Sequence, residues 1–266
     1  MPNTIMSSQG PIPNIDIPLL AHAFRCDQLT AHLAVADYRK FVKRRERGEP
    51  MAYILGVKEF YGRDFEVTPD VLIPRPDTEK LIELALKRLP EDEALWVVDA
   101  CTGSGCIGIT LALERPKIRV IATELSPAAA EVARRNIARH GVQDRVEVRI
   151  GHLLTPMVSP PSPLGGEGPG VRFDLLVSNP PYIKPADIAG LMRDVRDFEP
   201  TLALVGIGDE GIGLHEELLR EAPHILKSGA FVLLEIGYDQ GSSFIGRATV
   251  YQDDAGNDRV VEIHCV

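Results

Sequence analysis

Three features of the chain predict an α/β fold built on a mostly parallel sheet. From residue 95 onward, short β-rich apolar runs alternate with helix-length runs, and that alternation implies a parallel sheet covered on both faces. A glycine-rich turn, Cys101-Thr102-Gly103-Ser104-Gly105-Cys106-Ile107-Gly108, joins one such strand to an apolar helix. Two prolines end another apolar strand in Ser178-Asn179-Pro180-Pro181-Tyr182, because proline fixes its own φ and restricts the residue before it.

In order along the chain, strands are predicted near 95–99, 119–123, 145–150, 173–178 and 230–236, and helices near 106–115, 127–140 and 211–227. Two more strands, near 248–252 and 258–264, are expected to pair antiparallel at the sheet edge. Upstream, residues 1–14 are Pro/Ser/Asn-rich and expected to fray. Leu19, Leu20, Ala23, Phe24, Leu29, Leu33, Val35 and Phe41 recur at helical spacing until Gly48-Glu49-Pro50 stops them. Residues 1–50 therefore read as a helical region too short for a robust domain of its own. Residues 51–76 read as a β-hairpin linker, with Tyr53-Ile54-Leu55, Glu59-Phe60-Tyr61 and Phe65-Glu66-Val67 separated by Gly56 and Gly62. Residues 77–266 form the main α/β domain, opening on a helix capped by Asp77 or Thr78. Within it, Ser159 to Gly170 is a Pro/Gly-rich stretch without helix or strand propensity, read as a disordered insertion; a substrate lid is the other reading.

Composition narrows the class. A chain of 266 residues with 44% hydrophobic and 25% charged residues is ordinary for a soluble globular protein. No apolar run reaches the ~20 residues that span a bilayer, and the N-terminus lacks the basic start and apolar core of a signal peptide. Cysteines 26, 101, 106 and 265 make no metal-binding spacing, so no metal site is expected and a reducing cytoplasm is the natural compartment. A net charge of −9 argues against stable nucleic-acid binding. The exception is the basic run Arg39 to Arg47, which reads first as a solvated helix face and second as a contact for an acidic partner or ribosomal RNA.

The chemistry is carried by three strand ends. Open α/β sheets bind ligands there. At the first, glycines let backbone N–H groups approach a ligand closely. At the second, Glu124 lies 19 residues after Gly105, the offset of a carboxylate that bonds ribose hydroxyls. At the third, the Asn179 side-chain carbonyl and the Pro180 backbone carbonyl can accept both N–H bonds of a planar NH2 group, and the Tyr182 ring can pack on its flat face. Gly103, Gly105 and Gly108 also satisfy a dinucleotide fingerprint, and a proline-rich turn with a capping Asn would explain the tetrapeptide without chemistry. All three features together, in this order, indicate an S-adenosylmethionine-dependent amino-methyltransferase. Adenine or guanine amino-methylation, nicotinamide-dependent oxidoreduction and a non-catalytic assembly role remain the rival readings.

Further stretches narrow this. Glu49-Pro50-Met51-Ala52-Tyr53-Ile54-Leu55-Gly56 and Leu72-Ile73-Pro74-Arg75-Pro76-Asp77-Thr78-Glu79 resemble the linker of the release factor glutamine methyltransferases, the HemK/PrmC type. Asp99 to Cys106 and Ser178 to Tyr182 resemble that family's cofactor and catalytic motifs, and Glu199-Pro200-Thr201-Leu202-Ala203-Leu204 with Asp209-Glu210-Gly211 its following segment. The resemblance covers roughly residues 17–266. It implies a class I S-adenosylmethionine-dependent methyltransferase fold, Rossmann-like, with a mostly parallel seven-stranded sheet and an N-terminal helical region that binds the substrate. It implies methylation of the glutamine in the Gly-Gly-Gln motif of class I peptide-chain release factors, by a cytoplasmic monomer. S-adenosylmethionine would lie against Cys101, Thr102, Gly103, Ser104, Gly105, Glu124, Leu153 and Asn179. The glutamine would meet Asn179, Pro180, Pro181 and Tyr182, with Asn179, Pro180 and Tyr182 as the catalytic set. Arg75, in the linker, would bond carbonyls or the cofactor region, or form a structural ion pair.

The chain departs from the family's pattern in four places. Its N-terminal region is short. Gly151-His152-Leu153 stands where an acidic residue is usual after the third strand, and His152 is a candidate to reach the adenine. The Pro/Gly stretch is extra. Only Tyr238 to Arg247 link two late strands, too few for a full helix.

Overall fold

The computed structural model describes residues 31–158 and 172–265; the expected frayed start, the helical pattern before residue 31 and the Pro/Gly stretch 159–170 lie outside them. The chain divides into two compact units, Met1–Leu55 and Gly56–Val266.

In the first unit, α1 (Ala31–Glu46) ends on Lys43, Arg44 and Arg45, cations that suit the negative end of a helix dipole. Arg44 of the basic run is used internally. Its Nε donates to Glu49 Oε2 at 2.8 Å, and a second guanidinium nitrogen to the Tyr53 carbonyl at 3.1 Å. Residues 53–55, expected to be extended, form instead the short helix α2 (Met51–Leu55). The Pro50 carbonyl accepts the N–H groups of Tyr53 and Ile54, and proline is pre-organised for a helix start. Ile54 packs with Phe41, Val42, Met51 and Leu55. That packing overrides the β propensity of Tyr-Ile-Leu.

The second unit opens on the expected hairpin, β1 (Val57–Phe60) against β2 (Arg63–Glu66), in a register that pairs Phe60 with Arg63. A single 3₁₀ turn, Pro76–Thr78, leads into α3 (Glu79–Arg88). Thr78 occupies the cap position but its side chain makes no capping bond; it is engaged elsewhere. Then follow β3 (Trp96–Ala100), α4 (Cys106–Glu114), β4 (Arg119–Glu124), α5 (Pro127–His140) and β5 (Val146–Ile150). After these come β6 (Phe173–Ser178), α6 (Arg193–Phe198), α7 (Gly213–Ile225), β7 (Leu226–Glu235), β8 (Thr249–Gln252) and β9 (Asp258–His264). Ser126 caps α5 through its hydroxyl, Pro127 begins it, and Gly141 ends it in the left-handed conformation, as expected of those residue types.

The seven strands run in the order β5-β4-β3-β6-β7-β9-β8. The first five are parallel, and β9 pairs antiparallel with both β7 and β8. β7 starts earlier than the pattern suggested, at Leu226, and its pairing with β6 shifts between Phe173–Leu226 and Leu175–Phe231. Between β7 and β8 there is only a 3₁₀ turn, Gly241–Phe244, consistent with the ten-residue link.

Strand side chains alternate between two cores. Val97, Val120, Leu175 and Leu233 join Leu81, Ile109 and Ala133 in one cluster. Val98, Ile121, Leu176 and Leu234 join Leu218, Ala222 and Phe244 in the other. Each fully buried aliphatic side chain stabilises the fold by roughly 1.5–3 kcal/mol, so the sheet is rigid where its strands end. β3 and β6 are neighbours, yet the chain leaves β3 toward β4 and later returns on the far side at β6. Such a reversal opens a crevice at the strands' carboxyl ends.

Candidate active site

The glycine turn is held from below by Asp99, which is fully buried. Its Oδ2 accepts the Thr102 hydroxyl at 2.5 Å and the Gly108 N–H at 2.9 Å. Burial pushes this carboxyl up to about 7, against the pull of those two donors. Gly103 and Gly105 both have positive φ, +55° and +84°, which a side chain would strain. Cys101 and Leu153, two of the predicted cofactor contacts, hold φ of +57° and +43° without being glycine; such backbone strain concentrates at functional sites. Burial pushes the Cys101 and Cys106 thiols up to about 12, so neither is a nucleophile.

Glu124, at the end of β4, is set by two backbone donors: Gly103 N–H to Oε2 and Ser126 N–H to Oε1, each at 2.9 Å. A carboxylate oxygen has a further lone pair, so both oxygens remain able to accept ribose hydroxyls.

At the end of β6, the Ser178 hydroxyl donates to the Ala100 carbonyl at 2.7 Å and ties the two strand ends together. Asn179 Nδ2 donates to Thr78 Oγ1 at 3.3 Å. The Tyr182 hydroxyl donates to Glu235 Oε1 at 3.1 Å, and burial with the nearby Glu235 raises its pKa, so it stays a donor. The loop is clamped from outside as well. Gln240 is 2% exposed; its Nε2 donates to the Tyr182 carbonyl at 2.8 Å and to the Glu210 carbonyl at 2.7 Å, while its Oε1 accepts Gly237 N–H. Ile183 bridges to Val205. The Arg75 guanidinium pairs with Glu199, whose other oxygen accepts Ile73 N–H at 3.2 Å. Arg75 therefore forms the ion pair that joins linker to post-loop segment. Burial raises the Glu199 pKa and Arg75 opposes it.

These elements surround a cavity of about 350 Å³. Cys101, Thr102, Gly103, Ser104, Glu124, Leu153, Asn179 and Pro181 line it; Gly105, Pro180 and Tyr182 are not among its lining residues. Three of the molecule's exposed apolar side chains, Leu125, Leu202 and Ile207, also line it, giving the mostly apolar wall with a few polar groups that nucleoside ligands need. His152 lines it too, with Nε2 at 3.1 Å from Glu217. The sequence marked Thr78 only as a helix cap and a linker residue and Asp99 only as part of the cofactor motif, and Glu235 and Gln240 not at all. One signal was present: Glu235 follows the apolar run Ala230 to Leu234, and a carboxylate at the end of such a run demands an explanation. Among the described residues no group of three or more His, Cys, Asp or Glu is placed to hold a metal ion, and no helix is long and apolar enough to cross a membrane.

The crevice between β3 and β6, walled by the glycine turn and by Asn-Pro-Pro-Tyr, is that of a class I S-adenosylmethionine-dependent methyltransferase, and residues 79–192 match the methyltransferase small domain family. The fold is shared with a methyltransferase from Pyrococcus furiosus, with a TM-score of 0.51 at 19% identity over 86% of this chain and 98% of that one. In sequence, the chain is 42% identical to the release factor glutamine methyltransferase of Geobacter sulfurreducens, over 85% of this chain and 77% of the relative. It is 44% identical to that of Neisseria gonorrhoeae, over 83% and 78%. The chain belongs to the release factor glutamine methyltransferase family.

Proposed function

We propose that the chain methylates the side-chain nitrogen of the glutamine in the Gly-Gly-Gln motif of peptide-chain release factors, giving N5-methylglutamine. One observation carries the residue assignment: Asn179 lines the same cavity as Gly103 and Glu124, with its Nδ2 engaged by Thr78 and its carbonyl oxygen left for a ligand. The walls fit S-adenosylmethionine. Glu124 takes the ribose hydroxyls, Leu125 and Leu153 offer apolar surface to the adenine, and Thr102 and Gly103 flank the methionine end. That molecule supplies a methyl group activated by a sulfonium.

An amide nitrogen is a poor nucleophile because its lone pair is delocalised into the carbonyl. Asn179 Oδ1 and the Pro180 carbonyl each accept one N–H of the glutamine. They draw electron density toward nitrogen and align it for in-line displacement. The new N–C bond forms as the S–C bond breaks, the electron pair stays on sulfur, and the nitrogen then loses a proton to water. Tyr182, fixed by its hydroxyl, packs on the amide plane. In this reading residues 1–50 meet the protein substrate, 51–76 link them to the catalytic domain, and the enzyme acts as a cytoplasmic monomer.

Incubation with methyl-labelled S-adenosylmethionine tests this. Label should enter a release factor and be absent from one whose Gly-Gly-Gln glutamine is replaced by alanine. Label in RNA but not in either protein would overturn the assignment.

A further inference from the structure

An Asn amide is nearly symmetric in shape and opposite in chemistry at its two ends. Turned over, Asn179 would present N–H donors to a substrate that also offers N–H donors. Something must therefore fix its polarity. The group it touches, the Thr78 hydroxyl, does not suffice, because a hydroxyl both donates and accepts. Thr78 is a fixed acceptor for Asn179 only if its single proton is taken by another group.

That group is at hand. Glu235 is the last residue of β7, 1% exposed, and its carboxylate faces Thr78 and Tyr182. Oε1 accepts the Tyr182 hydroxyl at 3.1 Å, and Oε2 is buried without a hydrogen-bond partner among the described residues. The Tyr182 hydroxyl bonds this carboxylate directly, and the Thr78 hydroxyl that holds Asn179 faces it. An ionised carboxylate only accepts.

We propose that Glu235 is a positioning residue for methyl transfer: by accepting the protons of Thr78 and Tyr182 it holds Asn179 with Nδ2 on Thr78 and Oδ1 toward the reacting nitrogen. The proposal rests on Asn179 acting as an acceptor for the substrate amide.

The groups around Glu235 bear on its charge. Burial raises its pKa; Thr78 and Asp77 from the 3₁₀ turn before α3, Arg259 from β9 and Tyr182 from the loop after β6 face it, and of these only Asp77 adds to the rise. His215, from α7, sets its Nε2 at 2.8 Å from the Glu235 backbone carbonyl. When Glu235 is protonated it can donate to Thr78, and Thr78 is then free to donate to Asn179 Oδ1, reversing the amide.

The test uses the full chain, a release factor and three variants. Glu235→Gln keeps the shape but adds a donor, and kcat should fall about tenfold to a hundredfold while calorimetric affinity for S-adenosylmethionine is unchanged. Thr78→Val should fall alike, Thr78→Ser should stay within about threefold of the parent, and the Glu235→Gln/Thr78→Val pair should be strongly non-additive. In the parent, kcat should drop on the acid side, and Glu235→Gln should lack that limb. Turnover of Glu235→Gln and Thr78→Val within twofold of the parent would overturn the proposal, as would a Thr78→Ser variant as poor as Thr78→Val. If Glu235→Gln fails to fold, the two Thr78 variants decide the matter alone. A parent that does not methylate the release factor refutes the parent reading instead, and an Asn179→Ala variant near parental rate refutes the acceptor role.

Discussion

Two side chains at strand ends divide the work of the site. Glu124 reaches it already oriented by Gly103 and Ser126, so binding a ribose costs little further ordering. Glu124→Ala removes bonds to two hydroxyls, one partner in each bond being charged. It should weaken S-adenosylmethionine binding by about 1.5–3 kcal/mol, read by calorimetry, with folding intact because the side chain is part-exposed. Asn179 acts on the transition state rather than on binding. Its carbonyl holds the substrate N–H most strongly as positive charge develops on nitrogen, so Asn179→Ala should bind cofactor normally and lose roughly 10²–10³-fold in turnover. Asn179→Asp keeps an acceptor and loses the donor to Thr78; it should be impaired less than the alanine variant in single-turnover assays.

The elements that matter most at the next scale are the short segments that press on the Asn-Pro-Pro-Tyr loop. Gly211 precedes α7 with φ of +73°, and a Cβ there would lie 2.3 Å from the Tyr182 carbonyl oxygen and 3.2 Å from Gln240 Nε2. The Tyr182 carbonyl is the one that Gln240 holds. Gly211→Ala should therefore push the loop out of register with the glycine turn. Turnover should fall while affinity for S-adenosylmethionine stays within a few-fold, since Glu124 and Gly103 belong to other strand ends; equal loss of both would show that the segment supports the whole cavity. The helical state of Met51–Leu55 belongs to this scale too. Its three β-prone residues misled the pattern because burial of Ile54 against Phe41 and Val42 outweighs a propensity difference of about 1 kcal/mol.

For the molecule as a whole, buried groups couple folding to pH with opposite signs, and His215 and Asp99 show the two cases. His215 is fully buried and burial lowers its pKa from 6.5 to about 4. The unfolded chain therefore binds more protons between those values, and His215 stability is present above pH 6.5 and lost as pH falls toward 4. At about 1.4 kcal/mol per unit, the full loss is on the order of 3 kcal/mol. Asp99, raised from 3.8 to about 7, acts the other way, favouring the folded state as pH falls through 7. The difference in urea-unfolding free energy between parent and His215→Gln isolates the histidine, and it should move against the parent by about 3 kcal/mol from pH 7 to pH 4. A pH-independent difference would mean that His215 titrates in the fold as it does in the unfolded chain.

What the sequence by itself determined is what lies contiguous in it. The alternation of strands and helices, the glycine turn after β3, Glu124 after β4 and Asn179-Pro180-Pro181-Tyr182 after β6 are local signals, each written in a few adjacent residues. The short link between β7 and β8 was legible for the same reason, since chain length alone limits what it can form. The cage around those motifs was decided only by the tertiary structure. Thr78 and Asn179 are 101 residues apart, Tyr182 and Glu235 are 53 apart, and Ile73 and Glu199 are 126 apart. No period or propensity links such pairs. They meet because parallel strands β3, β6 and β7 bring their carboxyl ends side by side, and because a buried hydroxyl or carboxylate there must find its partner across the sheet edge rather than along the chain.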